Sequence, residues 1–318
     1  MSSIDKNRMI TNNSNVFNDI IENGFEVGKK EKINVGSSTG KKELIVEYAI
    51  NPSLEEIKTV SFNYFDRVVM DAICTIYEQK ENISSKITFS YTEVLRTMSG
   101  DENQKLTDNF RKAIDKSVKK FASTNIIIDY TQEFKKRNNV KGAKAERFIY
   151  GKMLPVVETD KPDHYEIISE MPCFTYAKEI GQINNIDSKY ITCDKLKISN
   201  TKNWIMIKHF LTRRFAIKKN ANSVLSGKSK NDDIIINEGD VGMLSKFSNE
   251  FDVKNPDFPQ NKFNNICKNI QALLDFYHEE GLTSDKWKVA WKVERNGKTA
   301  RIKYPNKELE KAEQMKQK

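Results

Sequence analysis

FPQNKFNNICKNIQALLDFYHEEGLTSDKWKVAWKVERNGKTARIKY, running from Phe258 to Tyr304, is the stretch on which the fold turns. Phe263, Ile266, Cys267, Ile270, Leu273, Leu274 and Tyr277 recur at helical steps, which puts them on one side of a helix and turns Asn264, Asn265, Lys268, Asn269 and Gln271 away from it. Gly281 ends that helix. Beyond it the period changes to two, with Trp287, Val289, Trp291 and Val293 on one strand face and Lys286, Lys288 and Lys292 on the other. Asn296-Gly297 supplies residues that tolerate positive φ in a tight turn, and Ala300, Ile302 and Tyr304 alternate back with Arg301 and Lys303 between them. A helix leading into a basic hairpin is the second half of a winged helix-turn-helix, whose helix enters the major groove and whose hairpin lies along the backbone. An ordinary helix packed on an ordinary hairpin carries the same local signals, so the rest of the chain must decide.

The N-terminal half repeats the pattern. Phe65, Val68, Val69, Ala72, Ile73 and Ile76 mark an amphipathic helix between Phe62 and Gln79. A short apolar piece, Ile87 to Phe89, follows, and Ser90-Tyr91-Thr92-Glu93 forms a capping box opening a helix that stops at Ser99-Gly100. A third helix begins near Thr107, burying Phe110, Ile114, Val118 and Phe121 and leaving Arg111, Lys112, Lys116, Lys119 and Lys120 on its other faces. Ile126 to Tyr130 reads as a strand, Thr131 to Glu146 as a basic loop with Lys135, Lys136, Arg137, Lys141 and Lys144, and Arg147 to Val157 as the returning strand of the wing. Val156 to Ser169 looks like a further hairpin turning at Lys161-Pro162-Asp163. Later, Thr201 caps a helix (TKNWIMIKHFLTRRFAIKKN), Ile234 to Ile236 is a short strand, and Gly239 to Phe247 a short helix, which complete a second winged helix with the stretch quoted above.

The expected architecture is α+β: two winged helix-turn-helix domains in tandem behind a polar N-terminal arm. Residues 1–43 form that arm, rich in Asn, Ser and Lys and expected to be disordered. The N-terminal domain covers 44–170, an irregular or strand-like junction 171–200, the C-terminal domain 201–304 and a charged tail 305–318. Leu44 to Ile50 is a candidate first strand. Gly36 to Lys42 (GSSTGKK) has too few residues between its glycines, and Lys in place of the metal-holding hydroxyl, for a phosphate loop.

With 318 residues the chain is long enough for two cores, and 53 Lys plus Arg against 44 Asp plus Glu gives +9, which favours an anionic partner. Between Lys105 and Lys152 there are 13 basic and 5 acidic residues, so +8 of that excess lies in one stretch, as a phosphate-facing surface would have it. Cys74, Cys173, Cys193 and Cys267 are far apart and read as reduced packing residues. Met1 opens onto a polar stretch and no apolar run is long enough for a bilayer, so a cytoplasmic protein without a membrane partner is expected. His164, His209 and His278 are scattered, no second His or Cys stands at ligand spacing, and Asp232, Asp233, Glu238 and Asp240 suit caps and a solvated loop, so neither metal, cofactor nor catalysis is expected.

The runs YFDRVVMDAICTIYEQK, YTEVLRTMSG and FRKAIDKSVKKFASTNIIIDY, with NWIMIKHFLTRRFAIKKN and NNICKNIQALLDFYHEEG later, resemble the replication initiator proteins of plasmids and related phage or conjugative elements in low-GC bacteria. The resemblance covers most of Phe62 to Tyr304 and rests on pattern and order. It implies tandem winged-helix domains that bind repeated double-stranded DNA sites at an origin and start replication there. It leaves open a homodimer and contact with a host replication initiator or helicase. A winged-helix transcriptional regulator is the main alternative, and a metal-dependent nuclease or nicking enzyme a lesser one.

The DNA-binding residues expected from the sequence fall into two groups. Arg111, Lys112, Lys116, Lys119, Lys120, Lys135, Lys136, Arg137, Lys141 and Lys144 would face phosphates in the first domain. In the second, Lys262, Asn264, Asn265, Lys268, Asn269 and Gln271 would read bases, with Arg295 and Lys298 on the wing setting the register.

Overall fold

A computed structural model describes residues 8–23, 25–26, 31–37, 40–48, 59–60, 62–81, 86–131, 134–135, 146–220, 234–235, 257–283, 286–294 and 297–303. The chain divides into two compact units, Met1–Asp187 and Ser188–Lys318. The architecture is α+β, with eight helices and small antiparallel sheets among the described residues.

The first unit runs β1 (Arg8–Asn12), α1 (Asn15–Asn23), β2 (Phe25–Glu26), β3 (Glu31–Ser37), β4 (Gly40–Tyr48), β5 (Thr59–Val60), α2 (Tyr64–Glu81), β6 (Ile87–Ser90), α3 (Tyr91–Ser99), α4 (Asp108–Ser123), β7 (Thr124–Asp129), β8 (Phe148–Lys152), β9 (Val156–Glu158), β10 (His164–Ile167), α5 (Pro172–Glu179) and β11 (Ile183–Asp187). The capping signals act where the sequence puts them. Ser90 accepts from the Glu93 N–H at 3.2 Å to start α3, Gly100 closes it in the left-handed region at φ 67°, and Thr107 accepts from the Phe110 N–H at the start of α4.

Helix α2 is buried on every side from Phe65 to Ile76, polar residues included. Arg67, Asp71 and Thr75 stand one turn apart in a row, and that row lies against β1. The Ile10 N–H donates to Thr75 Oγ1 at 2.9 Å and the Asn12 N–H to Asp71 Oδ1 at 3.0 Å, so the helix supplies acceptors to a strand whose other side pairs with β11. Arg67 donates to the Asn12 carbonyl and to Asn18 Oδ1, and lies over the Phe17 ring. The expected disordered arm is therefore corrected over 8–23. Met9, Ile10, Val16, Phe17, Ile20 and Ile21 are buried, with Ser14 Oγ capping α1 by accepting from the Phe17 N–H. Average composition hid a short helical stripe, beside which Asn12, Ser14 and Asn18 each have a hydrogen-bond partner.

The wing of this unit also differs from expectation. Strands β7 and β8 do not close on the helices through β6; they continue a four-stranded sheet in the order β3-β4-β7-β8. The expected strand from Leu44 is present in β4, which begins earlier, at Gly40, and pairs with β7 from Leu44 to Tyr48; within GSSTGKK, Ser37 of β3 stands opposite Gly40 of β4. The expected returning strand breaks at Met153–Pro155, and its end, β9, forms a hairpin with β10, which pairs with β6 to give the order β6-β10-β9. Most of the Thr131 to Glu146 loop lies outside the described residues. The expected irregular or strand-like junction holds the division between the two units and one strand, β11, which pairs with β1; it is corrected at Pro172–Glu179, where Pro172 occupies the first turn of α5 and its missing N–H is not needed.

The second unit holds α6 (Lys189–Thr192), α7 (Lys202–Asn220), β12 (Ile234–Ile235), α8 (Gln260–Glu279), β13 (Lys288–Glu294) and β14 (Gly297–Lys303). The expected apolar stripe of α8 is buried, from Phe263 to Tyr277. Trp287 and Val289 are buried and Lys286 and Lys288 exposed, as alternation requires. Glu294 pairs with Gly297, so the Gly297 of the expected Asn296-Gly297 turn is already the first residue of β14, while Arg295 and Asn296 lie outside the described residues. The sheet order is β12-β14-β13. The expected helix Gly239 to Phe247 and the carboxylates Asp232, Asp233, Glu238 and Asp240 lie outside the described residues.

Both units thus share one connection among the described residues: a helix, a short strand, at least one more helix and then, after β7 and β8 in the first unit, a hairpin whose second strand pairs with that short strand.

Candidate nucleic-acid interface

Burial of Ile114, Ser117, Val118 and Phe121 fixes the rotation of α4 and leaves Arg111, Lys112, Lys116 and Lys119 exposed on its far side. Arg111 reaches Asp163 in the β9–β10 turn at 3.4 Å, and Lys119 pairs with Asp115 at 2.9 Å. Exposed pairs of this kind contribute about 1 kcal/mol at most, so either cation can exchange its carboxylate for a phosphate at little cost. The Arg111 contact also places the turn, with the exposed Lys161, beside the basic face of α4. Lys161 was not among the expected site residues. Its turn is legible in Lys161-Pro162-Asp163, but its place beside α4 is not, because that depends on the long-range pairing of β10 with β6 and on the Arg111–Asp163 contact.

Lys120 is different: it is half-buried and its ammonium turns inward. Its ammonium lies 2.7 Å from the carboxylate of Asp66, which is 2% exposed and also accepts from Ser117 Oγ at 2.6 Å and from the Asn63 N–H at 2.8 Å. Lys120 therefore joins α4 to the start of α2. Lys135 is half-buried, and Lys136, Arg137, Lys141 and Lys144 lie outside the described residues.

In the second unit Lys262, Asn265 and Lys268 are exposed along one side of α8, with Asn264 and Asn269 half-buried beside them. Asn264 Oδ1 accepts from Gln260 Nε2 at 2.8 Å. Gln271 is a correction. Its Oε1 accepts from the Val289 N–H at 2.8 Å and its Nε2 donates to the Trp287 carbonyl at 3.1 Å, so it staples α8 to β13 instead of facing a partner. Lys298 lies in β14 opposite Val293, and Arg295 falls outside the described residues. Lys208, one of the cations of α7, is 1% exposed and donates to Asn200 Oδ1 at 3.0 Å.

Among the described residues no group of three or more His, Cys, Asp or Glu is placed to hold a metal ion, and no helix is long and apolar enough to cross a membrane. The cysteines Cys74, Cys173, Cys193 and Cys267 are free and buried. Burial pushes the thiols of Cys173 and Cys267 up to about 12.

No family model matches the chain, and no curated protein matches it. Among solved structures it is similar to the crystal structure of RctB domains 2-3, with 12% identity, a TM-score of 0.41, and coverage of 92% of this chain and 97% of that one. The selenomethionine derivative of RctB domain 2 and domain 3 gives 14% identity, a TM-score of 0.37, and coverage of 88% and 92%.

Proposed function

We propose that the protein is a sequence-specific double-stranded DNA-binding protein, built on two winged helices in tandem, that initiates replication of a plasmid or mobile element by binding repeats at its origin. The observation that carries the binding part is the connection repeated in both units. A helix with basic or amide residues outward is followed by a hairpin, directly in the second unit and after β7 and β8 in the first, and the hairpin's second strand pairs with a short strand that follows an earlier helix, β6 after α2 and β12 after α7. In the first unit Arg111 brings helix and turn together, as a helix in the groove and a wing on the backbone need. The initiator part rests on the resemblance of the Phe62 to Tyr304 runs. Binding, not bond cleavage, is the activity assigned.

The test is a binding titration on duplexes carrying short direct repeats from beside the gene, against scrambled duplexes, over a range of salt. Tight, repeat-dependent binding is expected, with a log affinity that falls, for each tenfold rise in salt, by about 0.9 per phosphate neutralised. Salt-insensitive binding would overturn the phosphate surfaces. Preference for a single palindrome, with no replication from the repeats, would make the protein a transcriptional regulator, and strand cleavage with added Mg²⁺ or Mn²⁺ would make it an enzyme.

A further inference from the structure

Strand β7 alternates strictly. Ile126 and Ile128 are buried, whereas Asn125, Ile127 and Asp129 on its other face are half-buried. Across the register those outward residues meet Lys152, Tyr150 and Phe148 of β8. Tyr150 is 79% exposed and Phe148 51%, and Lys152 is exposed beside them. The opposite face of β8 is committed to the unit, because Gly151 lies against the Pro172 ring of α5, where an added Cβ would sit 3.5 Å from Cγ. Two bare aromatic rings and an ammonium therefore stand in a row on the outer face of the sheet.

We propose that this row is a binding platform for single-stranded nucleic acid, separate from the duplex-binding helices. Alternate residues of a strand are about 6.7 Å apart, enough for each ring to stack on its own base, with Lys152 next in line for a phosphate. Stacking of this kind needs unpaired bases, because those of a duplex already stack on one another. Charge agrees: the connection from Tyr130 to Arg147 carries six basic and two acidic residues. Arg147, at its end, is exposed and its guanidinium lies 4.5 Å from the Phe134 ring centre. The acid on the face, Asp129, accepts from the Thr131 N–H through Oδ1 at 3.0 Å. A second copy of the chain fits less well, because edge pairing about this strand would add the like charges of Lys152 and its neighbours, a device that keeps edges apart.

The full chain is titrated into fluorescein-labelled oligo(dT) and, separately, into the repeat duplex. Phe148→Ala with Tyr150→Ala is expected to weaken oligo(dT) binding by about tenfold or more and to leave duplex binding unchanged. Phe148→Trp is expected to keep oligo(dT) binding, with its emission quenched on addition of the oligonucleotide. No binding of oligo(dT) by the wild type, equal binding by the double variant, or an unquenched Trp would overturn the platform. A sedimenting dimer that the double variant alone loses, with oligo(dT) affinity intact, would assign the face to a second copy instead. Duplex binding that fails while oligo(dT) binding persists would sink the proposed origin binding and leave the platform standing.

Discussion

The hydroxyls of Tyr91 and Tyr165 lie 2.8 Å apart, joining the first residue of α3 to the second strand of the β9–β10 hairpin. Tyr91 also meets Asp115 of α4 at 2.9 Å, and Tyr165 meets Glu158 of β9 at 3.1 Å. Two hydroxyl protons serve three contacts, so only two can be occupied by a proton at once. Desolvation is the first cause that raises both phenols, Tyr165 to about 12, so both stay protonated donors throughout the neutral range. This chain of oxygens ties the basic helix to the hairpin that the Arg111–Asp163 contact also touches.

Tyr91→Phe is expected to cost about 1–2 kcal/mol, because it leaves Tyr165 and Asp115 short of a partner. Adding Tyr165→Phe should cost less than the sum of the two single changes, since both polar partners are then gone. A denaturant double-mutant cycle checks this, and strict additivity would mean that the hydroxyls act independently.

Lys120→Ala is expected to destabilise the first unit by about 3 kcal/mol, because it strips the buried Asp66 carboxylate of its cation. Lys116→Ala, on the exposed face, should change stability by less than about 0.5 kcal/mol yet weaken binding to every duplex. Urea unfolding beside a duplex titration separates the two. If Lys120→Ala were as stable as the wild type and bound duplex poorly, Lys120 would belong to the binding surface after all.

On α8, Gln271→Ala and Asn265→Ala should part in the same way. The first removes the hydrogen bonds of Gln271 with the Val289 N–H and the Trp287 carbonyl and is expected to cost about 1–3 kcal/mol of stability, with the ratio of cognate to scrambled affinity unchanged. The second is expected to leave stability alone and to lose about 1–3 kcal/mol on the cognate duplex only. Equal losses on cognate and scrambled DNA from Asn265→Ala would move base reading off this helix.

The four thiols are buried and free, and burial holds Cys173 and Cys267 near 12 and Cys193 near 11, so almost none is thiolate at mildly alkaline pH. Ellman's reagent is expected to react with none of them in the native protein and with all of them after denaturation. Rapid native labelling of any one would show that its packing opens readily.

Local signals were legible because they act over a few residues. Ser90 with Gly100, the Thr107 cap and the stripe from Phe263 to Tyr277 need only neighbouring positions to set a helix and its buried side, and the alternation from Lys286 to Val289 needs only a strand. What no local rule reaches is which strand pairs with which. The wing assigned to β7 and β8 belongs to another sheet because β4 supplies β7 with a partner more than seventy residues earlier in the chain, leaving β6 to the β9–β10 hairpin. The roles of individual polar residues were hidden for the same reason. Lys120 and Gln271 stand off the apolar stripes and read as DNA-facing in the sequence, and nothing local singles out Arg67, Asp71 or Thr75, yet each of the five meets a partner from another element. A buried N–H or carboxylate must be satisfied by whatever the fold brings beside it, and that is decided by long-range packing, whereas the exposed Arg111, Lys112, Lys116, Asn265 and Lys268 follow from helix phase alone.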